Sequence, residues 1–93
     1  MFARHARAHT AAFLVVVMHS ETLRERFGRN TANHRTTAGL TQEQLAEIVD
    51  VTPVTISNIE RGKKSPRFDL IQAIADALCI DPAELFTPGH PDT

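Results

Sequence analysis

The sequence predicts an all-α domain of five short helices, and three observations lead to that prediction. From Ser20 onward, apolar residues recur at the three- and four-residue spacing typical of helices that bury one face. Hydroxyl, acidic and proline residues stand where the helices would begin, and glycines follow two of them. No alternating pattern predicts a β-strand between residues 20 and 86.

The first helix is predicted over residues 21–37, with Ser20 as its N-cap. The second is predicted over residues 42–49, where Thr41 and Gln44 form the pattern of a capping box. In the first helix, one stripe at helical spacing consists of Leu23, Phe27, Thr31 and His34. In the second helix, the inward face would consist of Leu45, Ala46 and Val49. Gly39 follows the first helix, at a position where a left-handed backbone favours glycine.

The third helix is predicted over residues 53–61, with Thr52 as N-cap and Pro53 at its first position, where a missing N–H costs nothing. The connection to the second helix has only three residues, which forces the two helices to cross steeply. Ile56 and Ile59 would anchor the third helix, leaving short polar or methyl-bearing residues outside: Val54, Thr55, Ser57 and Asn58. Side chains of this kind can read base edges, since Asn pairs with adenine and methyl groups suit thymine.

A fourth helix is predicted over residues 68–78, and its inward face would consist of Ile71, Ile74, Ala75 and Leu78. A short fifth helix would follow Asp81, with Pro82 first and Glu84 at the capping-box position. The predicted organisation is an N-terminal extension (1–19), a domain (20–87) and a flexible tail (88–93).

Residues 11–18 (AAFLVVVM) form an apolar run in the N-terminal extension. The run is too short to span a bilayer, and no small-x-small cleavage site follows it, so no membrane association is expected. Three interpretations stay open: a segment that packs on the domain or on a partner protein, a disordered tail, or translation that begins at Met18.

The charge distribution indicates a surface for phosphates, although the net charge is only −1. Residues 24–67 carry eight basic and five acidic side chains, whereas residues 68–93 carry five acidic and no basic ones. A basic middle and an acidic end suit a protein with one surface on phosphates. Because Trp and Tyr are absent, stacking on single strands is not expected. The base-reading side chains of the third helix make double-stranded DNA the predicted partner.

No catalytic, metal-binding or cofactor motif occurs. The five histidines are scattered and none has metal-ligand spacing to Cys79, and no phosphate-binding or dinucleotide fingerprint is present. The single cysteine excludes an intrachain disulfide, and Cys79 is expected to be a small buried hydrophobe. The sequence therefore predicts a protein that is not an enzyme and has no cofactor.

The order of these motifs resembles the lambda-repressor-like helix-turn-helix family of phage repressors, Cro proteins and Xre-type regulators. The resemblance covers residues 23–86 and rests on Arg35, GLTQEQLA from Gly39, TISNIERGKKSP from Thr55, IADAL from Ile74 and ELF from Glu84. It implies a sequence-specific DNA-binding transcriptional regulator, a repressor or autoregulator, that acts as a cytoplasmic homodimer. The alternative is a protein-interaction module, such as an antitoxin or a bridging factor, that docks through residues 11–18.

The resemblance also implies residue roles. Gln42 would clamp a phosphate, and the remaining positions would contact bases or the sugar-phosphate backbone: Pro53, Val54, Thr55, Asn58, Arg61, Lys63 and Lys64. Arg35 and Glu60 would form an internal salt bridge. Residues near the fifth helix, Leu85 and Phe86 with Leu70, would contact a second subunit, although Leu85 and Phe86 could equally close the monomer core. For each DNA-contacting residue, the alternative is an ordinary solvated position.

Five departures from the family pattern carry expectations of their own. Thr31 and His34 stand where the family carries apolar core residues, which predicts a loosely packed first helix. Asp50 and Cys79 stand where the family carries glycine, at some conformational cost. Pro53 stiffens the start of the third helix and removes a donor, so base preference does not transfer from relatives.

Overall fold

A computed structural model describes residues 21–89. The helices are α1 (Leu23–Thr37), α2 (Gln42–Val49), α3 (Pro53–Glu60) and α4 (Phe68–Leu78), followed by a 3₁₀ helix at Pro82–Phe86. The predicted all-α fold is confirmed, and within residues 21–89 there is no strand. Ser20, the apolar run at 11–18 and residues 90–93 lie outside the described residues.

The start of α1 differs from the prediction. Thr22 is the N-cap: its hydroxyl accepts the Glu25 N–H at 3.1 Å, and the Glu25 carboxylate accepts the Thr22 N–H at 2.8 Å. The predicted start at residue 21 was therefore wrong, because the Thr22–Glu25 pair forms a reciprocal capping box and the helix begins two residues later, at Leu23.

The starts of α2 and α3 are confirmed. The Thr41 hydroxyl accepts the Gln44 N–H at 3.0 Å, and the Gln44 side chain accepts the Thr41 N–H at 2.8 Å. Thr52 caps α3 by accepting the Thr55 N–H at 3.2 Å, and Pro53 is the first helical residue. Helix α3 ends at Glu60, one residue earlier than predicted, because Arg61 is its C-cap.

All four α-helices end with the same pair of backbone hydrogen bonds around one left-handed residue. The four residues with positive φ are Gly39, Asp50, Gly62 and Cys79. In each case the left-handed residue donates its N–H to the carbonyl three positions earlier. The next residue donates its N–H to the carbonyl five positions before itself, as in Val51 to Ala46 and Ile80 to Ala75. This is the Schellman pattern, which satisfies carbonyls that the helix leaves without partners.

The expectation that Cys79 is buried was wrong, because its side chain is exposed. Its backbone has φ 58° and reverses the chain at the end of α4. The following residue, Ile80, packs against the core instead. A left-handed residue after a helix thus turns its own side chain outward while the chain re-enters the domain.

The fifth helix is a 3₁₀ helix, and its predicted capping box was wrong. The Asp81 carboxylate accepts the Ala83 N–H at 2.8 Å, while the Glu84 N–H donates to the Asp81 carbonyl at 2.9 Å. The Thr87 hydroxyl then donates to the Glu84 carbonyl at 3.1 Å and closes the turn. Tighter i→i+3 bonding suits a segment of only five residues.

The core lies where α1, α2, α3 and α4 meet the 3₁₀ helix. Its largest fully buried side chains are Phe27, Leu45, Ile56, Ile59, Ile74, Leu85 and Thr31. Leu85 is fully buried in the monomer core, so of the two alternatives for this residue, closure of the core is confirmed. Phe86 is half-buried, with its ring centroid 5.3 Å from that of Phe27. The Thr31 hydroxyl is buried, and no described group lies within hydrogen-bond distance of it.

Helix α1 packs directly on the end of α3 through a glycine. A Cβ atom added at Gly28 would lie 2.2 Å from the Ile59 carbonyl oxygen and 2.8 Å from the Glu60 carbonyl oxygen. Only a residue without a Cβ allows this approach, so Gly28 sets how close α1 and α3 lie.

Candidate nucleic-acid interface

Helices α2 and α3 form a compact two-helix unit around a three-residue turn. Asp50 adopts φ 61° there, and the Val51 N–H donates to the Ala46 carbonyl at 2.9 Å. Ala46 is 1% exposed, and the small side chain lets the two helices pack closely. The turn therefore fixes the angle at which α3 leaves the domain.

Helix α3 has one buried and one open face. Ile56 and Ile59 are fully buried in the core. Val54 is 67% exposed and Pro53 is exposed, while Thr55 and Asn58 are half-buried. The four predicted contact residues of α3 thus lie on its accessible side.

The cap of α3 engages one of these residues. The Thr55 hydroxyl lies 3.1 Å from the Thr52 hydroxyl, and the Thr55 N–H also donates to that cap. Thr55 therefore presents its methyl group with less freedom than an ordinary surface threonine, because its polar atoms already have local partners.

An ion pair lies behind the interface. Arg35 Nε and Nη2 donate to the two Glu60 carboxylate oxygens at 2.6 and 3.1 Å, and Arg35 Nη1 donates to the Leu40 carbonyl at 2.7 Å. The two side chains are 13% and 5% exposed. Hydrogen bonding to the Glu60 carboxylate raises the pKa of the Arg35 guanidinium, so Arg35 stays charged. The pair joins α1 to the end of α3.

Gln42 is tied to the same carboxylate. Its Nε2 donates to Glu60 Oε1 at 2.9 Å, which connects the first residue of α2 to the last residue of α3. A primary amide has two N–H donors, so this bond leaves one for another acceptor. Sequence reasoning missed this contact because it joins residues 18 positions apart on two helices.

The basic residues after α3 lie on an exposed loop. Arg61, Lys63 and Lys64 are all exposed, and within residues 21–89 none of them takes part in an ion pair. Gly62 turns the chain at φ 72°, and the Lys63 N–H donates to the Asn58 carbonyl at 2.8 Å. This arrangement places three exposed cationic side chains directly after the C-terminal end of α3.

The described part of the chain shows neither a metal site nor a membrane span. Between residues 21 and 89, no three His, Cys, Asp or Glu side chains lie together as metal ligands. In the same stretch, each helix is too short or too polar to cross a bilayer.

Comparison with known proteins agrees with this geometry. The sequence model of the HTH_3 helix-turn-helix family matches residues 33–85, which include α2, α3, α4 and most of the 3₁₀ helix. The chain belongs to the HTH_3 helix-turn-helix family. This family consists of DNA-binding transcription regulators and is not a family of enzymes. The protein is therefore a DNA-binding transcriptional regulator.

Individual relatives agree with that assignment. An HTH-type transcriptional regulator of Methanothermobacter thermautotrophicus is 53% identical over 45 residues, which are 48% of this chain and 65% of that protein. YazB, an HTH-type transcriptional regulator of Bacillus subtilis, is 36% identical over 64 residues, which are 69% of this chain and 93% of YazB.

Solved structures show the same fold. The restriction-modification controller protein C.AhdI from Aeromonas hydrophila matches with a TM-score of 0.64 and 35% identity, over 67% of this chain and 90% of C.AhdI. The clp gene regulator ClgR from Corynebacterium glutamicum matches with a TM-score of 0.68 and 32% identity, over 70% of this chain and 69% of the ClgR chain.

Proposed function

We propose that this HTH_3 protein binds a specific duplex site by placing α3 in the major groove, and that it acts there as a repressor or autoregulator of transcription. The main supporting observation is the division of α3 into a fully buried face with Ile56 and Ile59 and an open face on which Val54 is 67% exposed. A helix held in this way can enter a groove without rearrangement of the core. We place the protein, together with the DNA that it binds, in the cytoplasm.

Base recognition is assigned to the open face of α3. Asn58 carries an amide that can pair with both hydrogen-bonding groups of adenine. Val54 and Thr55 offer methyl groups for contact with the thymine methyl, which favours A·T pairs among the contacted bases. Pro53 holds the first turn rigid and supplies shape rather than a hydrogen bond.

Phosphate contacts are assigned to residues on either side of α3. Gln42 stands at the N-terminal end of α2, where free N–H groups and the helix dipole favour an anion, and its second amide N–H can join them. Arg61, Lys63 and Lys64 form the second contact, along the backbone that follows the groove. These contacts would position α3 without carrying sequence information.

We further propose that two subunits bind together. A homodimer would place two copies of α3 in successive major grooves, about one helical turn apart, on a two-fold symmetric site. Regulation by occupancy of a DNA site fits the related solved structures, which are those of a restriction-modification controller protein and a clp gene regulator. Bound at a promoter, the dimer would exclude or recruit polymerase.

Selection of bound duplexes from a random library tests this proposal. We expect a two-fold symmetric consensus that the wild-type protein binds with strong salt dependence. A consensus without symmetry would contradict the homodimer, and failure to enrich any duplex at low ionic strength would contradict the DNA-binding role of α3.

Two substitutions then separate base contacts from phosphate contacts. Asn58→Ala should cost about 1–3 kcal/mol on the selected site and little on other sequences, whereas Lys63→Ala should weaken all duplexes alike and lower the salt slope by about one. Gln72→Ala, on the exposed side of α4, is the control and should bind as wild type. Equal losses on all sequences from Asn58→Ala would remove Asn58 from the base-reading set.

A further inference from the structure

An apolar groove lies between the start of α1 and the start of α4. Its volume is about 330 Å³, and its apolar wall consists of Leu23, Phe27, Pro66, Phe68, Ile71 and Phe86. Phe68 is 89% exposed and Leu23 is 60% exposed, so two large apolar side chains stand in water at its edge. Exposed apolar surface of this kind marks a place where another apolar group packs.

The groove opens next to the point where the N-terminal extension enters the domain. Only residues 19–22 separate Met18 from Leu23, and Thr22 is already held as the N-cap of α1. The five steps from Met18 to Leu23 span at most roughly 18 Å. The apolar run at residues 11–18 is therefore tethered beside the groove at an effective concentration in the millimolar range.

The composition of the run matches the groove. Its eight residues carry no charge and include Phe13, Leu14 and three valines. The groove wall is formed by aromatic, aliphatic and proline side chains, with Arg24 and Ser65 as polar residues among those that line it. Contact between the two would remove apolar surface of both from water, the main favourable term in such association.

We propose that residues 11–18 pack into this groove on their own domain and cover Phe68. Ser65 and Pro66, which line the groove, directly follow Lys63 and Lys64. The covering segment would therefore contact the loop directly after its two lysines. This inference concerns a surface other than the open face of α3 and does not depend on the proposed function.

A single introduced indole can test the contact. The chain has no Trp or Tyr, so Phe68→Trp in the full chain gives a fluorescence signal from the groove alone. If the segment covers the groove, emission should lie at the short wavelengths of a buried indole. It should shift to longer wavelength when Leu14→Asp places a charge in the run.

Two control variants separate this effect from a general one. Ala8→Asp adds the same charge outside the run and should leave the emission of the F68W protein unchanged. Ile48→Trp places the indole on α2, where Ile48 is 56% exposed and does not line the groove, and its emission should not respond to Leu14→Asp. Thermal unfolding of F68W checks that the domain remains folded.

Three outcomes would overturn the proposal. The first is long-wavelength emission from F68W without any second substitution. The second is a short-wavelength emission that Leu14→Asp does not change. The third is an emission that shifts on dilution over about a hundredfold range of concentration, since a second copy would then cover the groove. A short-wavelength emission that is independent of concentration and lost with Leu14→Asp would support it.

Discussion

Two residues hold left-handed backbone conformations where a glycine would be unstrained. Asp50 has φ 61° and Cys79 has φ 58°, whereas α1 and α3 are followed by Gly39 and Gly62 at the equivalent positions. A left-handed conformation costs a residue with a Cβ roughly 1–2 kcal/mol, and Asp tolerates it better than most. The ends of α2 and α4 therefore contain strain that those of α1 and α3 lack.

Cys79→Gly should stabilise the protein. We expect the free energy of unfolding to rise by about 0.5–1 kcal/mol, since relief of strain outweighs the larger entropy of glycine in the unfolded chain. Asp50→Gly should gain less. Urea unfolding measures both, with Cys79→Ala as the control that removes the thiol and keeps the Cβ. A loss of stability in Cys79→Gly but not in Cys79→Ala would mean that the entropy of glycine in the unfolded chain outweighs the relief of strain.

Arg35 is the residue whose removal should cost most among the charged side chains. Arg35→Ala would leave the Glu60 carboxylate, 5% exposed, with Gln42 as its remaining side-chain partner. We expect a loss of about 3 kcal/mol in chemical denaturation. Arg35→Lys should recover only part, because an ammonium cannot donate to both carboxylate oxygens in the same plane.

The exposed Arg24 offers a matched control on the same helix. Arg24→Ala should change stability by less than about 0.5 kcal/mol. Equal losses in the free energy of unfolding from Arg24→Ala and Arg35→Ala would show that the Arg35–Glu60 ion pair contributes no more to stability than an exposed arginine does.

At the scale of elements, α1 acts as the support for α3. It contacts α3 through Gly28 and through the Arg35–Glu60 pair, at the end of α3 opposite Pro53. Helix α2 holds the other side through the turn at Asp50 and the bond from Gln42. The orientation of α3 therefore depends on two helices that carry few of the proposed DNA contacts.

Gly28→Ala should disturb that support. The added methyl would lie 2.2 Å from the Ile59 carbonyl oxygen, and backbone atoms cannot move aside as a flexible side chain can. We expect a loss of about 1–3 kcal/mol in thermal or urea unfolding, and weaker DNA binding even where the variant is folded. Asn33→Ala, on the exposed face of α1, is the control. A Gly28→Ala protein as stable as wild type would exclude the close approach.

At the scale of the whole molecule, α1 also holds the end of the domain. The Asn30 side chain is 8% exposed and donates to the carbonyls of Leu85 at 3.0 Å and Thr87 at 2.8 Å. Arg29 bridges Glu21, before α1, and the Thr87 carbonyl, after the 3₁₀ helix. Both ends of the described chain thus meet on one face of α1.

The bridge at Glu21 predicts a pH dependence. Hydrogen bonding from Arg29 lowers the pKa of the Glu21 carboxyl below its ordinary value of 4.5. A lowered pKa in the folded state contributes stability above pH 4.5 that is lost as the pH falls through the folded-state value. Wild type should therefore be more stable than Glu21→Gln at pH 7, and the difference should shrink below pH 4.5.

Urea unfolding of both proteins at pH 7 and at acid pH measures this difference. Glu47→Gln is the control, because Glu47 is exposed and forms no ion pair within residues 21–89. A difference between wild type and Glu21→Gln that persists unchanged at the lowest pH would argue against the ion pair as its source.

The sequence by itself determined the helices, their order and the family. Caps such as Thr41 with Gln44 and Thr52 with Pro53 act within one turn, so their residues predict where α2 and α3 begin. The apolar spacing placed Ile56 and Ile59 in the core, which left Val54 and its neighbours for the open face of α3. Capping patterns were least informative at the two ends of the domain, where the start of α1 and the type of the last helix differ from the prediction.

Only the tertiary structure decided how these helices meet. The approach of Gly28 to α3, the bond from Gln42 to Glu60 and the burial of Asn30 against the C-terminal carbonyls all join residues far apart in the chain. No periodicity or spacing encodes such contacts, because they depend on where two separate helices lie in space. Physically, local hydrogen bonds set where each helix begins and ends, whereas packing of all the helices around one core sets what α3 can present to DNA.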